Sequence, residues 1–287
     1  MELLPQYEGL EVVQKTYRAF GNEYHRYQVW QENADGGTEY ICDNCAECRK
    51  GKKCKGLPSV TSVSGQYGGG GLYPAGYKHA LDAVFGAWTT KDKISLDGTG
   101  FLDDGLPSDG LEVVRQEVEF IPTPGFVARE FGSKVHAALE SALRGDDQAV
   151  VPVECADAVK AVTDWLQKGG ADGPYIVEDV EVNVFHPELR IGGQIDCVAR
   201  CGNQVILIDW KSGRDIYPNH AMQIAAYQMC YEAMTGEAVS EAWIVKSGKH
   251  GFDAKQVKDL APAQRAFIAM QEAKKNVESI EWAEGGA

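Results

Sequence analysis

The stretch 193–213, GQIDCVARCGNQVILIDWKSG, places two aspartates and a lysine around an apolar run, Val205 to Ile208. Gly202-Asn203 is a two-residue hairpin signal. With these two residues as the turn, Cys201 faces Gln204 and Asp196 lies across the ladder from Asp209. Opposed Cβ atoms are roughly 5 Å apart, where like charges are destabilising. A shared divalent cation would remove that repulsion. Strand alternation puts Asp209 and Lys211 on one face and Ile208 and Trp210 on the other. Such a set suits phosphodiester hydrolysis. Hard oxygen donors hold Mg²⁺ or Mn²⁺, the ion polarises the phosphate and acidifies water, and Lys211 orients that water or stabilises developing charge. An ordinary Asp–Lys ion pair at a strand end, with Asp196 unrelated, is the competing explanation.

The surrounding pattern must position these groups. Strands are expected at 178–185, 192–200, 204–211 and 241–247. Val127, Phe131, Val135, Leu139 and Leu143 recur every four residues, which predicts a helix over 125–144. Further helices are expected at 76–88, 153–168, 218–235 and 254–280, with Gly236 stopping the one at 218–235. Residues 17–40 read as a β-hairpin or meander, and 68–71 and 95–110 as loops. The order gives an α/β fold: an antiparallel meander, then a crossover helix and a strand added to a mixed central sheet flanked by helices. The expected division is 1–57, an N-terminal β-hairpin region with a cysteine insert, and 58–287. The latter comprises a helical part 72–170, a catalytic core 171–250 and the C-terminal helix 254–280.

GGQID, DWK and QIAAY (Gln223 to Tyr227) resemble the G-x-x-D, D-x-K and Q-x-x-x-Y signature of the PD-(D/E)xK nuclease superfamily in its RecB-like branch. FGSKVHAALE, with Gly132 and His136, resembles that branch's G-x-x-x-H helix, and LPSVTSV (57–63) its P-S-V-T motif. The last motif is similar to that of phage-type exonucleases and the mitochondrial genome maintenance exonuclease. CRISPR-adaptation RecB-like nucleases are further relatives the resemblance suggests. It implies a restriction-endonuclease-like core. It implies metal ligation by His136, Asp196, Asp209 and the Trp210 carbonyl, with Lys211 as the catalytic lysine. Gln223 and Tyr227, one turn apart on a helix face, would position the site and the substrate strand. Glu181 matches a frequent acidic position in the preceding strand. Ser59 and Thr61 would cap a helix or touch a phosphate. Read from the residues alone, His136 sits beside the stripe of Val135 and Leu139 as a solvated histidine; Gly132 leaves room beside its ring. Cys197 and Cys230 read as small buried hydrophobes.

Cys42, Cys45, Cys48 and Cys54 form C-x2-C-x2-C-x5-C, the spacing of a thiolate metal knuckle. Zn²⁺ fits a tetrahedral set of four thiolates, with a [4Fe–4S] cluster as the alternative. Iron–sulfur members of the resembled branch place three cysteines after the nuclease core, whereas here all four precede it. Arg49, Lys50, Lys52, Lys53 and Lys55 crowd the same segment. They would guide a strand toward the metals, with Tyr24, Tyr27, Trp30 and Tyr40 either stacking on bases or packing the hairpin.

The chain has 287 residues, 44% hydrophobic and 24% charged, and a net charge of −14. That charge excludes a general nucleic-acid coat but not an enzyme with a local binding track. The acidic N-terminus lacks the features of a secretory signal, and no apolar run suits a membrane span. A cytoplasmic protein is therefore expected, in the host cytoplasm if phage-encoded. The resemblance implies a metal-dependent exonuclease on single-stranded DNA ends in phage-type replication, recombination or repair, with a recombinase or single-strand-binding protein as a further partner. The alternatives are a structure-specific or restriction-type endonuclease and a catalytically silent metal-knuckle DNA-binding module. Replacing the five basic residues at 49–55 with Gln is expected to weaken DNA binding and flatten its salt dependence. Unchanged affinity across a salt titration would sink that role.

Overall fold

The computed structural model describes residues 2–19, 22–32, 38–40, 56–68, 124–145 and 150–278. The Cys42–Cys54 cluster, the basic run at 49–55 and the expected helix at 76–88 lie outside these residues. The chain forms two compact units, Met1–Gly68 with Gly132–Ala287, and Gly69–Phe131. The first unit carries both β-sheets.

The N-terminal sheet is built on β1 (Leu10–Ala19) and β2 (Asn22–Glu32), which pair antiparallel from Leu10↔Gln31 to Ala19↔Asn22. The hairpin thus begins seven residues earlier than the expected 17. Adjacent Val12-Val13 breaks the alternation that would have announced β1. Two short strands, β3 (Thr38–Tyr40) and β4 (Leu57–Pro58), also pair with β2. Helix α1 (Val60–Gly68) follows β4 directly. Its first turn is closed by Ser59, whose Oγ accepts from the Ser62 N–H at 3.0 Å while Ser62 Oγ donates back to the Ser59 carbonyl.

After α2 (Pro124–Leu143) and α3 (Ala156–Lys168) comes the second sheet. Its strands are β5 (Ile176–His186), β6 (Ile191–Cys201), β7 (Gln204–Lys211), β8 (Val239–Gly248) and β9 (Gly251–Gln256), in that spatial order. β5, β6 and β7 form the expected antiparallel meander. α4 (Pro218–Thr235) then carries the chain across so that β8 pairs parallel to β7. Pro218 starts α4 and Gly236, at φ 72, ends it, as a left-handed C-terminal residue should.

The expected helix over 254–280 is corrected. Residues 251–256 are an edge strand, and α5 runs Ala261–Glu278. The edge strand GFDAKQ has little apolar content and looks as polar as the helix after it. Among the described residues no helix is long and apolar enough to cross a membrane.

One core joins both sheets. Val29, Leu57, Val60 and Val63 from the N-terminal part pack with Val182, Val184, Ile195, Leu207, Ile224 and Phe267. α4 is buried along most of its length because it lies against the second sheet, α1 and α5. Cys197 and Cys230 are fully buried, as the sequence suggests.

The glycine pair of GGQID is where the sheets meet. Ser59 bridges to Gly192. A Cβ on Gly192 would collide with Tyr27 Cβ, and one on Gly193 would sit 2.6 Å from the Tyr227 ring. Each glycine therefore admits one tyrosine, one from β2 and one from α4. Gly192→Ala is expected to cost about 1–3 kcal/mol through overpacking, read as a lower urea midpoint at unchanged slope. A midpoint equal to wild type would contradict this packing.

Candidate active site

At the end of the apolar strand β7, Asp209 is fully buried and Lys211 Nζ lies 2.5 Å from its Oδ2. Beyond this ion pair, neither Asp209 oxygen receives a hydrogen bond from the described residues. A buried carboxylate with no donors is costly unless a charge compensates it. Burial raises the Asp209 carboxyl to about 6, with Lys211 pulling down and Asp196 pushing up.

The β6–β7 ladder runs from Cys201↔Gln204 to Cys197↔Ile208 in the register the Gly202-Asn203 turn dictates. It stops one step before Asp196 and Asp209. There the Trp210 N–H donates to Asp196 Oδ2 at 2.7 Å, a side chain replacing the next ladder partner. On the other flank, Glu181 lies between the pairs Val180↔Cys197 and Val182↔Ile195, across from Asp196. Its φ of 56 is left-handed, unusual for a non-glycine residue inside a strand. Such a conformation costs on the order of 1–3 kcal/mol and persists only when the surroundings impose it. On either side of this point Ile195 and Val198 are both buried in the core cluster. Glu181 and Asp196 thus face each other at one irregularity within β5 and β6.

α2 supplies the third group. His136 Nδ1 is 3.7 Å from Asp196 Oδ1, and ligand atoms of His136, Glu181 and Asp196 lie within 4.8 Å of one another. Donors sit about 2.0–2.6 Å from Mg²⁺ or Ca²⁺, so this spread suits one ion. The chemistry agrees. Burial raises Asp196 to about 6, against the pull of Lys211 and the Trp210 N–H. Burial, then Asp196, raises Glu181 to about 8. Burial, then Lys211, lowers His136 to about 4, with Asp209 and the Trp210 backbone opposing. Neutral imidazole and carboxylates that repel as anions are the states a cation binds and relieves.

The structure gathers His136, Glu181 and Asp196 within reach of one ion, while Asp209, paired with Lys211, stands outside that set but close enough to feel the charges of Asp196 and His136. Gln223 and Tyr227 are buried beside them, Gln223 Nε2 donating to the Tyr227 hydroxyl at 2.9 Å. Burial, then the Asp209 charge, drives Tyr227 well above its ordinary value. Gly132 does not make room for the His136 ring. A Cβ there would meet Ser212 Oγ at 2.6 Å, so it admits the residue after Lys211. Ser59 is buried with its hydroxyl engaged in the α1 cap and 3.1 Å from Thr61 Oγ1, while Thr61 is exposed.

Of the two roles open to Tyr27, the structure selects packing. Tyr27 is 3% exposed, accepts from Gln14, and has a hydroxyl raised to about 12 by burial, with Glu181 and Asp196 adding to it. It is a core residue behind the acids, not a base-stacking platform. Two further neighbours, Glu140 and Arg144, were not singled out from the sequence. Arg144 donates to the Val180 carbonyl at 3.1 Å and pairs with Glu140 at 3.2 Å, bracing the peptide before Glu181. The four-residue spacing of His136, Glu140 and Arg144 was the available signal, since it puts all three on one helix face.

The raised carboxyls set a pH dependence. A carboxyl with a raised folded pKa stabilises below its unfolded value and loses that contribution as pH rises through the folded value. For Glu181 the window runs from about 4.5 to about 8. Glu181→Gln in protein free of Mg²⁺ and Mn²⁺ is therefore expected to melt above wild type at pH 8.5 and beside it at pH 5. A difference that does not grow with pH, measured by thermal scanning, would count against this arrangement.

No curated protein matches the chain. The solved crystal structure of SSO0001 aligns over 59% of this chain and 82% of its own, at 17% identity and a TM-score of 0.28, a likeness too slight to bear on the fold. Residues 152–285 cover α3, the five-stranded sheet, α4 and α5, and so hold Glu181, Asp196, Asp209, Lys211, Gln223 and Tyr227. This segment matches the family model of the PD-(D/E)XK nuclease superfamily, a match that points to a metal-dependent nuclease.

Proposed function

We propose that the chain is a Mg²⁺- or Mn²⁺-dependent deoxyribonuclease of the RecB-like type, acting as an exonuclease on single-stranded ends. The observation that carries the hydrolase reading is the gathering of His136, Glu181 and Asp196 within 4.8 Å, beside the buried Asp209–Lys211 pair. Preference for ends and single strands rests on the five motifs alone.

His136, Glu181, Asp196, Asp209 and the Trp210 carbonyl would hold the ion, which would neutralise phosphate charge and acidify water. Lys211, anchored on Asp209, holds its ammonium where an attacking water or a developing oxyanion is favoured. Asp196 accepts the Trp210 N–H and so fixes the peptide that presents the Trp210 carbonyl. Tyr227 and Gln223 fill the space behind the acids and exclude water from Asp209. Each of these assignments of role is part of the proposal, as are the Zn²⁺ or [4Fe–4S] site at Cys42, Cys45, Cys48 and Cys54 and the cytoplasmic setting.

Digestion of end-labelled linear single strands, duplexes and closed circles with Mg²⁺ or Mn²⁺ tests the reading. Release of nucleotides from linear single strands, with closed circles left intact, is expected. Asp209→Ala should reduce the rate by at least about a hundredfold, the scale of losing one charge-stabilising group. Cutting of closed circles would replace the exonuclease by an endonuclease, and full activity in Asp209→Ala would remove the site.

A further inference from the structure

The tetrapeptide Lys-Ser-Gly-basic occurs twice, as Lys211-Ser212-Gly213-Arg214 and as Lys246-Ser247-Gly248-Lys249. The copies end neighbouring strands. β7 and β8 run parallel and are in register at Lys211↔Lys246, so both point to the same end of the sheet, where β7 leaves after Lys211 and β8 runs on to Gly248 before turning back into β9.

The first lysine of the pair enters the acid cluster. The second is 8% exposed, and its ammonium donates to the carbonyls of Arg214 and His250, both at 3.2 Å. A buried ammonium is tolerated only when its donors are used. Here they are used on the two exit turns, which Lys246 thereby draws against each other. Each turn is also held from beneath. Ser212 occupies the gap left by Gly132, and Ser247 Oγ donates to the Ala158 carbonyl of α3 at 2.9 Å.

The residues these turns present are cationic. Arg214 and Lys249 are exposed, and Arg214 follows Lys211 by three residues, at most about 10 Å along the chain. Acids stand near them as well. Glu154 feels Lys249 and pairs with Lys134 at 3.1 Å, Asp253 lies 3.6 Å from Lys255, and Asp215 is exposed beside Arg214. In a chain of net charge −14, a basic residue just past the end of β7 and another on the β8–β9 turn, at the same end of the sheet, mark a local track for phosphate.

We propose that the paired exit turns form a phosphate clamp, in which Arg214 and Lys249 hold backbone phosphates of the bound single strand next to the one at the acid cluster. The placement rests on the nuclease reading, since the clamp is defined relative to the scissile phosphate.

The test measures binding of a labelled single-stranded oligonucleotide over a salt series, with Ca²⁺ in place of Mg²⁺. Arg214→Gln and Lys249→Gln are each expected to lower the salt slope by about 0.7 and the double variant by about 1.4, one phosphate contact per residue. Lys168→Gln, on the exposed end of α3, is expected to keep the wild-type slope. Wild-type slopes in both single variants would overturn the clamp, and so would an equal drop in Lys168→Gln. Digestion by the wild-type protein, run in parallel, separates the two readings. Cleavage with unaltered slopes sinks the clamp alone. Lowered slopes without any cleavage sink the nuclease and support the clamp as a binding surface.

Discussion

A fully buried Asp209, held by Lys211 and facing Asp196 and Glu181, is the interaction on which the rest of the structure depends. Three carboxyls in one low-dielectric pocket repel one another, and one ammonium does not balance them. Folding to this state accepts an electrostatic penalty that the hydrophobic core must cover. The penalty is confined to the end of β7, after Val205, Ile206, Leu207 and Ile208 have all been buried. A rigid apolar strand holds the acid in place against its own repulsion.

The ladder break expresses the same conflict. Regular pairing would set Asp196 directly across from Asp209 and Glu181 directly across from Asp196. The protein keeps those positions but opens the hydrogen-bond pattern around them, with the Trp210 N–H capped by Asp196 and Glu181 in a left-handed conformation. Strain and repulsion together make a site poised for a cation, because both are relieved by the same binding event.

Support comes from outside the meander. Tyr27 of the N-terminal sheet rests on Gly192, Tyr227 of α4 on Gly193, and Ser212 on Gly132. Small residues flank the acids because three separate elements must approach the same strands closely. The N-terminal sheet is therefore part of the architecture behind the site, and its tyrosine is there for packing.

The amino-acid sequence by itself determined the meander, its Gly202-Asn203 turn, the crossover helix α4 and the gathering of D-x-K with G-x-x-D. These depend on periodicity, turn chemistry and spacing, which are local and leave their mark on the order of residues. It did not reveal the start of β1 or the edge strand β9, whose alternation is interrupted or polar. It placed His136 at the site only through a motif, and it assigned the space beside Gly132 to the wrong side chain. The left-handed Glu181, the end of the β6–β7 ladder one step before Asp196 and Asp209, and the stitching of two Lys-Ser-Gly segments by Lys246 were decided by tertiary structure alone. Each arises from several elements competing for the same volume and charge, a constraint that no single segment carries.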